Sequence, residues 1–332
     1  MSNNNDSYSK IAEKMRSYEH VLIFPHIHPD GDALGSSGAL CRALRILDIE
    51  AYVLVDENFP HNFDFLDEDI STFDNEVFNG LDYLAVMVDC SDTSRISNRL
   101  DVFKSAKERI VIDHHITASP DFTPDLMRVE PDSAATGELI YYIINELGIT
   151  MDKYISYAIF TAITTDTGNF QHSNTTARSH KIAAALYDVD GFNSKPVSNL
   201  IYNRDSLNSF ELEKLVMDSI KIYEQGKIII AFITQEMLKK TNTDMSETDR
   251  FITKLMTIDE VEIAVILKAN QANLTKVSLR AKSYADVSKL ADKFGGGGHK
   301  RAAGFNLSVP PKEALSLIID DLKKALRNEW DY

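Results

Sequence analysis

Two cysteines in 332 residues, Cys41 and Cys90, are too few for a disulfide framework and suit a reduced cytoplasm. Cys90 adjoins Asp89 and reads as a small buried residue beside a site. No apolar run approaches the roughly 20 residues needed to cross a bilayer. The polar start, Met1 to Asp6, lacks the charged-then-apolar pattern of an export signal. Lysine and arginine are missing from Ile46 to Ser94, where thirteen carboxylates fall between Asp48 and Asp92. With a net charge of −15, broad binding to long nucleic acid is disfavoured. Much of the acidic run, such as Asp67-Glu68-Asp69, reads as a solvated face.

Charge of the other sign is concentrated late. Val261 to Gly304 carries eight Lys/Arg against three acids, Glu262, Asp286 and Asp292. An acidic half suited to cations therefore precedes a segment suited to a compact anion. The length allows two domains and a sizeable core.

Apolar runs alternate with helical patterns. Strands are expected at Val21–Phe24, Ala51–Val55, Leu84–Val88 and Ile110–Ile112, and helices at Ala33–Leu47, Ala134–Leu147, Tyr154–Ala162 and Ala177–Leu186. That alternation predicts an α/β fold with a mostly parallel sheet flanked by helices, whose ligands bind outside the carboxyl ends of the strands. Gly191-Phe192-Asn193-Ser194-Lys195-Pro196 marks the start of a boundary. Beyond it, strands at Lys227–Ile233, Glu262–Lys268 and Leu274–Ala281, with helices near Ala285–Lys293 and Lys312–Arg327, make a smaller second α/β unit. The domains are expected at 14–190 and 224–330, joined by a connector at 191–223.

Four clusters follow apolar runs: His26-Ile27-His28-Pro29-Asp30-Gly31-Asp32, Asp89-Cys90-Ser91-Asp92, Asp113-His114-His115 and Asp166-Thr167-Gly168. Together they suggest one site assembled from several strands. Gly31 is expected to turn the chain sharply between Asp30 and Asp32. Imidazoles mixed with carboxylates suit Mn²⁺ or a related transition ion better than an all-oxygen Mg²⁺ cage. Carboxylates packed this densely repel one another without cations, and two divalent ions remove the conflict. His26 and His28 alone would also fit the first strand of a barrel metallohydrolase, but Asp-His-His and Asp-Thr-Gly do not follow that pattern. Asp92 reads as a cap for the next helix. Gly295-Gly296-Gly297-Gly298, followed by His299-Lys300-Arg301, reads as a loop whose amides and cations cradle an anion, with Arg280 in reach.

In this order, His26-x-x-Pro29-Asp30-Gly31-Asp32-Ala33, Val88-Asp89-x-x-Asp92, Asp113-His114-His115, Thr165-Asp166-Thr167-Gly168 and Gly295-Gly296-Gly297-Gly298-His299-x-x-Ala302-Ala303-Gly304-Phe305 resemble the motifs of the DHH–DHHA1 phosphoesterases. The resemblance spans Lys14 to Leu326 and is greatest for the stand-alone nanoRNase and pAp-phosphatase type, near the stand-alone cyclic-di-AMP phosphodiesterases. It implies that His26, Asp30 and Asp89 hold one Mn²⁺, and that Asp32, Asp89, His114 and Asp166 hold a second, with Asp89 bridging. His115 is implied to contact the scissile phosphate, and Asp113 to orient a neighbouring histidine. Arg280, His299 and Arg301, helped by the amides of Gly296, Gly297 and Gly298, are implied to grip the substrate's other phosphate and sugar; His28 takes no role. The implied reaction is hydrolysis of short 5′-phosphorylated oligonucleotides, such as pApA, and of pAp by a water activated between two ions. The resemblance also implies a cytoplasmic homodimer without a membrane partner. Direct action on cyclic di-AMP, a pyrophosphatase and a non-catalytic nucleotide sensor are the competing readings.

Overall fold

The computed structural model describes residues 5–56, 63–66, 70–72, 78, 80–115, 118, 120–248, 250–271 and 273–329. Asp67-Glu68-Asp69 lies outside the described residues. The chain divides into two units, Met1–Arg204 and Asp205–Tyr332.

In the first unit the branched apolar runs form strands β1 (His20–Phe24), β2 (Glu50–Val55), β3 (Ile70–Thr72), β4 (Tyr83–Val88), β5 (Glu108–Asp113) and β6 (Leu126–Val129). All pair in parallel, in the order β3-β2-β1-β4-β5-β6. Both faces of the central strands β1 and β4 are covered, which is why these two are apolar at nearly every position. On one face Val21, Ile23, Val53, Val86 and Ile110 pack on helices α1 (Tyr8–Arg16), α2 (Gly31–Ile46), α4 (Thr136–Glu146) and α5 (Lys153–Asp166). On the other, Leu22, Phe24, Ala85, Met87 and Val111 meet Ile96 and Phe103, the latter on α3 (Leu100–Ser105). Helices α6 (Ala177–Tyr187) and α7 (Ser194–Tyr202) complete the unit.

The strand order runs outward one way from β1 and the other way from β4. The carboxyl ends of these neighbours therefore flank the point where the topology switches, the crevice in which open α/β sheets bind ligands. His26 follows β1 and Asp89 follows β4.

The α/β class and the mostly parallel first sheet are as expected, and one local expectation is corrected. Gly31 is a helical residue without positive φ; it is small because a Cβ there would lie 2.4 Å from Thr165 Cγ2. Asp166 is the last residue of the helix expected over Tyr154–Ala162, so one member of the site comes from the layer above the sheet.

In the second unit, α8 (Leu207–Asp218) precedes β7 (Lys221–Tyr223), β8 (Ile228–Ile233), α9 (Gln235–Thr241), α10 (Arg250–Leu255), β9 (Ile263–Gln271) and β10 (Leu274–Ala281). Then come α11 (Ser288–Lys293), β11 (Gly297–His299), β12 (Ala302–Leu307) and α12 (Pro311–Arg327). The sheet order is β11-β12-β10-β9-β8-β7, antiparallel except for β8 with β9. Val265, Val277 and Leu279 face α11 and α12, while Ile229, Ala231 and Ile266 face α8, α9 and α10. The stretch 191–223, expected as a connector, holds α7, which groups with the first unit, and α8 and β7, which group with the second. The glycine run is not wholly a loop: Gly297 to His299 is a short edge strand on β12.

Candidate metal centre

Asp30 caps α2, its Oδ1 accepting from the amides of Asp32 and Ala33 at 3.1 and 3.0 Å. Its other oxygen is left 3.9 Å from His26 Nε2. His26 Nδ1 lies 2.8 Å from the Ile27 carbonyl, which can only accept, so Nδ1 carries a proton and Nε2 is the nitrogen that faces the carboxylates. Asp89, with φ +61° at the end of β4, is 2 % exposed. One of its oxygens lies 3.6 Å from His26 Nε2 and the other 3.6 Å from His114 Nε2.

The same logic applies to His114. Its Nδ1 donates to the Ser133 carbonyl at 3.1 Å, leaving Nε2 3.6 Å from Asp32 and 3.2 Å from Asp166. Two adjacent sets result, His26/Asp30/Asp89 and Asp32/His114/Asp166, each with its ligand atoms within 4.8 Å of one another. Asp89, His114 and His115 form a third such set. His115 is half-exposed, and its Nδ1 donates to buried Asp113 at 2.7 Å. Asp113 also accepts from the His115 amide at 3.1 Å. Thus the six metal-ligand candidates meet at one rim, with Asp113 and His115 beside them. Asp92 caps the turn at Thr93–Arg99 by accepting from the Ser94 amide at 2.7 Å.

The electrostatics reflect an excess of negative groups. Burial, then the charges of Asp89 and Asp166, push Asp32 well above the ordinary carboxylate range. Burial alone would lower His114, but its hydrogen bond to Asp166 and the charges of Asp32 and Asp89 raise it to about 10. The Asp113 hydrogen bond raises His115 against its own desolvation. Protons are thus drawn to the site to offset charge, which a divalent cation does better. The donor set, two imidazole Nε2 atoms and four carboxylates, fits a pair of borderline-hard divalent ions.

Several contributors carry no motif. Asp32 accepts from the amides of Thr136 and Gly137 at 2.6 and 3.0 Å, and from Ser36 Oγ at 2.8 Å. It therefore caps α4 from α2, where the N-cap residue, Ala135, has no side chain to do so. Thr136 Oγ1 donates to Asp89 at 2.7 Å. Asn174 Nδ2 donates to the carbonyls of Ala134 and Asp166, both at 3.1 Å. The only trace of this in the sequence is the run of small residues Ser133-Ala134-Ala135-Thr136-Gly137 ahead of an apolar helix.

In the second unit Arg280 and His299 both pair with Ala302, so the three share one row and one face of the sheet. The next row is Ser278, Gly304 and Gly297, and a Cβ on Gly297 would meet nothing within 4 Å. Two exposed basic side chains therefore flank a strip of backbone with almost no side chain over it. Gly296 and Gly298 instead press on β12; their Cβ atoms would come within 2.4 Å of Phe305 Cβ and of the Ala302 carbonyl. Arg301 donates to the carbonyls of Ala285 and Ser283. Glu262 accepts from the amides of Ser283, Tyr284 and Ala285, so the same turn is held from both sides.

The sequence model of the DHH family N-terminal domain matches residues 20–173, and that of the DHHA1 domain matches residues 225–328. A bifunctional oligoribonuclease and PAP phosphatase NrnA of Thermus thermophilus is 30% identical over 321 residues, covering 95% of this chain and 93% of that one. Its namesake from Bacillus subtilis is 27% identical over 302 residues, 90% of this chain and 93% of its own. A crystal structure of an exopolyphosphatase-related protein from Bacteroides fragilis superposes with a TM-score of 0.86 at 24% identity, covering 98% of each chain, which places the fold. No described helix is long and apolar enough to cross a membrane. The chain belongs to the DHH–DHHA1 family of phosphoesterases.

Proposed function

We propose that this protein hydrolyses short 5′-phosphorylated oligonucleotides to mononucleotides, and pAp to AMP, with two divalent cations, Mn²⁺ for preference. One observation carries the reading: the two oxygens of buried Asp89 face two different histidines, each backed by its own carboxylates. A carboxylate shared in this way suits a pair of ions rather than one. The names of the Thermus and Bacillus relatives, oligoribonuclease and PAP phosphatase, supply the substrate class.

In this reading His26, Asp30 and Asp89 hold one cation, and Asp32, Asp89, His114 and Asp166 hold the other. When bound, such ions supply Lewis acidity, which activates water near neutral pH and offsets charge on phosphoryl oxygens. The protein's own part is orientation. Ile27 and Ser133 carbonyls engage Nδ1 of His26 and His114, so that Nε2 is the nitrogen turned to the cations. Asp113 holds His115 by Nδ1, so its Nε2 edge is free to meet the scissile phosphate. Residues 14–190 carry this chemistry, and residues 224–330 bind substrate, with Arg280, His299, Arg301 and the backbone at Gly296, Gly297 and Gly298 taking a second phosphate and its sugar. The family resemblance extends the reading to a homodimer working in the cytoplasm.

Purified protein with Mn²⁺ is expected to release AMP from pApA and phosphate from pAp. Release of neither, in a panel that includes pyrophosphate and cyclic di-AMP, overturns the assignment. The pH dependence has a defined sign. Metal-free His114 is protonated below about 10, and a cation needs its Nε2 unprotonated. Loading therefore expels a proton, and apparent Mn²⁺ affinity rises with pH from 6 to 9. Calorimetric titrations at pH 7 in buffers of different ionisation enthalpy should report about one proton released or more. Uptake without proton release would place His114 outside the coordination.

A further inference from the structure

Four of the proposed ligands hang on one short segment. The amides of Thr136 and Gly137 hold Asp32, the Thr136 hydroxyl holds Asp89, and the Ser133 carbonyl holds His114. Through Asn174, the Ala134 carbonyl is tied to the backbone of Asp166. Whatever fixes residues 133–137 therefore fixes the spacing of the site.

Glu138 does so. It lies in the first turn of α4 with 0 % exposure, and one of its oxygens accepts from Ser133 Oγ at 2.8 Å and from the Ala134 amide at 3.4 Å. Its other oxygen accepts from Ser179 Oγ at 2.6 Å on α6. Arg178 Nε lies 3.3 Å from the oxygen that accepts from Ser133, and the same guanidinium bonds Glu130 at 2.6 Å and Tyr8 Oη at 3.0 Å. A fully buried carboxylate is a poor way to gain stability, because desolvation offsets most of the attraction to its partner. Here it fastens the segment that carries the ligand contacts to α6.

We propose that Glu138 is a positioning residue of the metal centre, acting through Ser133 and the first turn of α4, with Arg178 paired to its carboxylate. This rests on the reading of Asp32, Asp89, His114 and Asp166 as cation ligands. Groups that orient ligands from behind are worth about 10- to 100-fold in metal affinity. Glu138→Gln should weaken Mn²⁺ binding by that factor, because one amide oxygen cannot serve both Ser133 and Ser179. Ser133→Ala deletes only the hydroxyl, leaves the Glu138–Arg178 pair, and should weaken binding in the same direction by less. In both, kcat falls while KM for pAp stays near the wild-type value, since the grip on substrate is untouched.

The experiment measures Mn²⁺ Kd by calorimetry and metal-free Tm for full-length wild type and both variants. A raised Kd in Ser133→Ala at near-wild-type Tm supports the role. Wild-type Mn²⁺ affinity in Ser133→Ala overturns it, whatever Glu138→Gln does, since a purely structural Glu138 would move only Tm. Wild-type protein that takes up no Mn²⁺ overturns the reading beneath it instead.

Discussion

Asp89→Asn should reduce kcat by at least about 10³-fold, the largest effect of any single substitution in this protein. Polarisation of a phosphoryl oxygen by a metal ion is worth several kcal/mol, and each ~1.4 kcal/mol is tenfold in rate. Among the described residues Asp89 is the carboxylate whose two oxygens address both histidines, so its loss weakens both proposed cation positions together. Asparagine is preferable to alanine, because it can still accept from Thr136 and tolerates the positive φ that alanine resists. The metal-free protein should respond in the opposite sense. Asp89 is among the charges that push Asp32 upward, so removing it relieves repulsion. Metal-free Asp89→Asn is thus expected to melt no lower than wild type, while the rise in Tm on adding Mn²⁺ is lost. Mn²⁺-dependent turnover within tenfold of wild type would sink the bridging role.

What could be read from the residues was the chemistry at the ends of apolar runs. His26, Asp89 and Asp113-His114-His115 each terminate a branched strand, and a parallel sheet gathers such ends at one rim. What could not be read depends on contacts between distant segments. Thr136 is 104 residues from Asp32 in sequence, and nothing in its neighbourhood announces that its amide caps a carboxylate from another helix. Glu138 looks like an ordinary first-turn acid until Ser133 and Ser179 are seen on either side of it. Helices α9 and α10, of seven and six residues, are too short to establish a period and left no signal in the segment between β8 and β9. The glycines were visible but their reasons were not. Gly31 is close to Thr165 and Gly296 to Phe305, whereas Gly297 faces open space.

Helix α2 offers a matched pair of substitutions that tests how this layer holds the site. A Cβ at Gly35 would lie 2.4 Å from the Ala158 carbonyl oxygen and 2.9 Å from the Ala162 amide nitrogen, both backbone atoms of α5. A Cβ at Gly38, one turn on, would meet nothing within 4 Å. Gly38→Ala should therefore stabilise the fold by about 0.5–1 kcal/mol, the usual gain from removing a mid-helix glycine. Gly35→Ala has the same intrinsic gain but must push two helices apart, and overpacking costs about 1–3 kcal/mol or more where backbone cannot yield. The consequence should extend beyond stability. Helix α5 ends at Asp166, and α2 begins between Asp30 and Asp32, so separating the helices moves proposed ligands on both. Urea unfolding with Mn²⁺ titration of both variants is the measurement. Gly35→Ala is expected to lose stability and Mn²⁺ affinity together, while Gly38→Ala keeps its affinity. Equal behaviour of the two would mean that the close α2–α5 approach does not set the geometry of the centre.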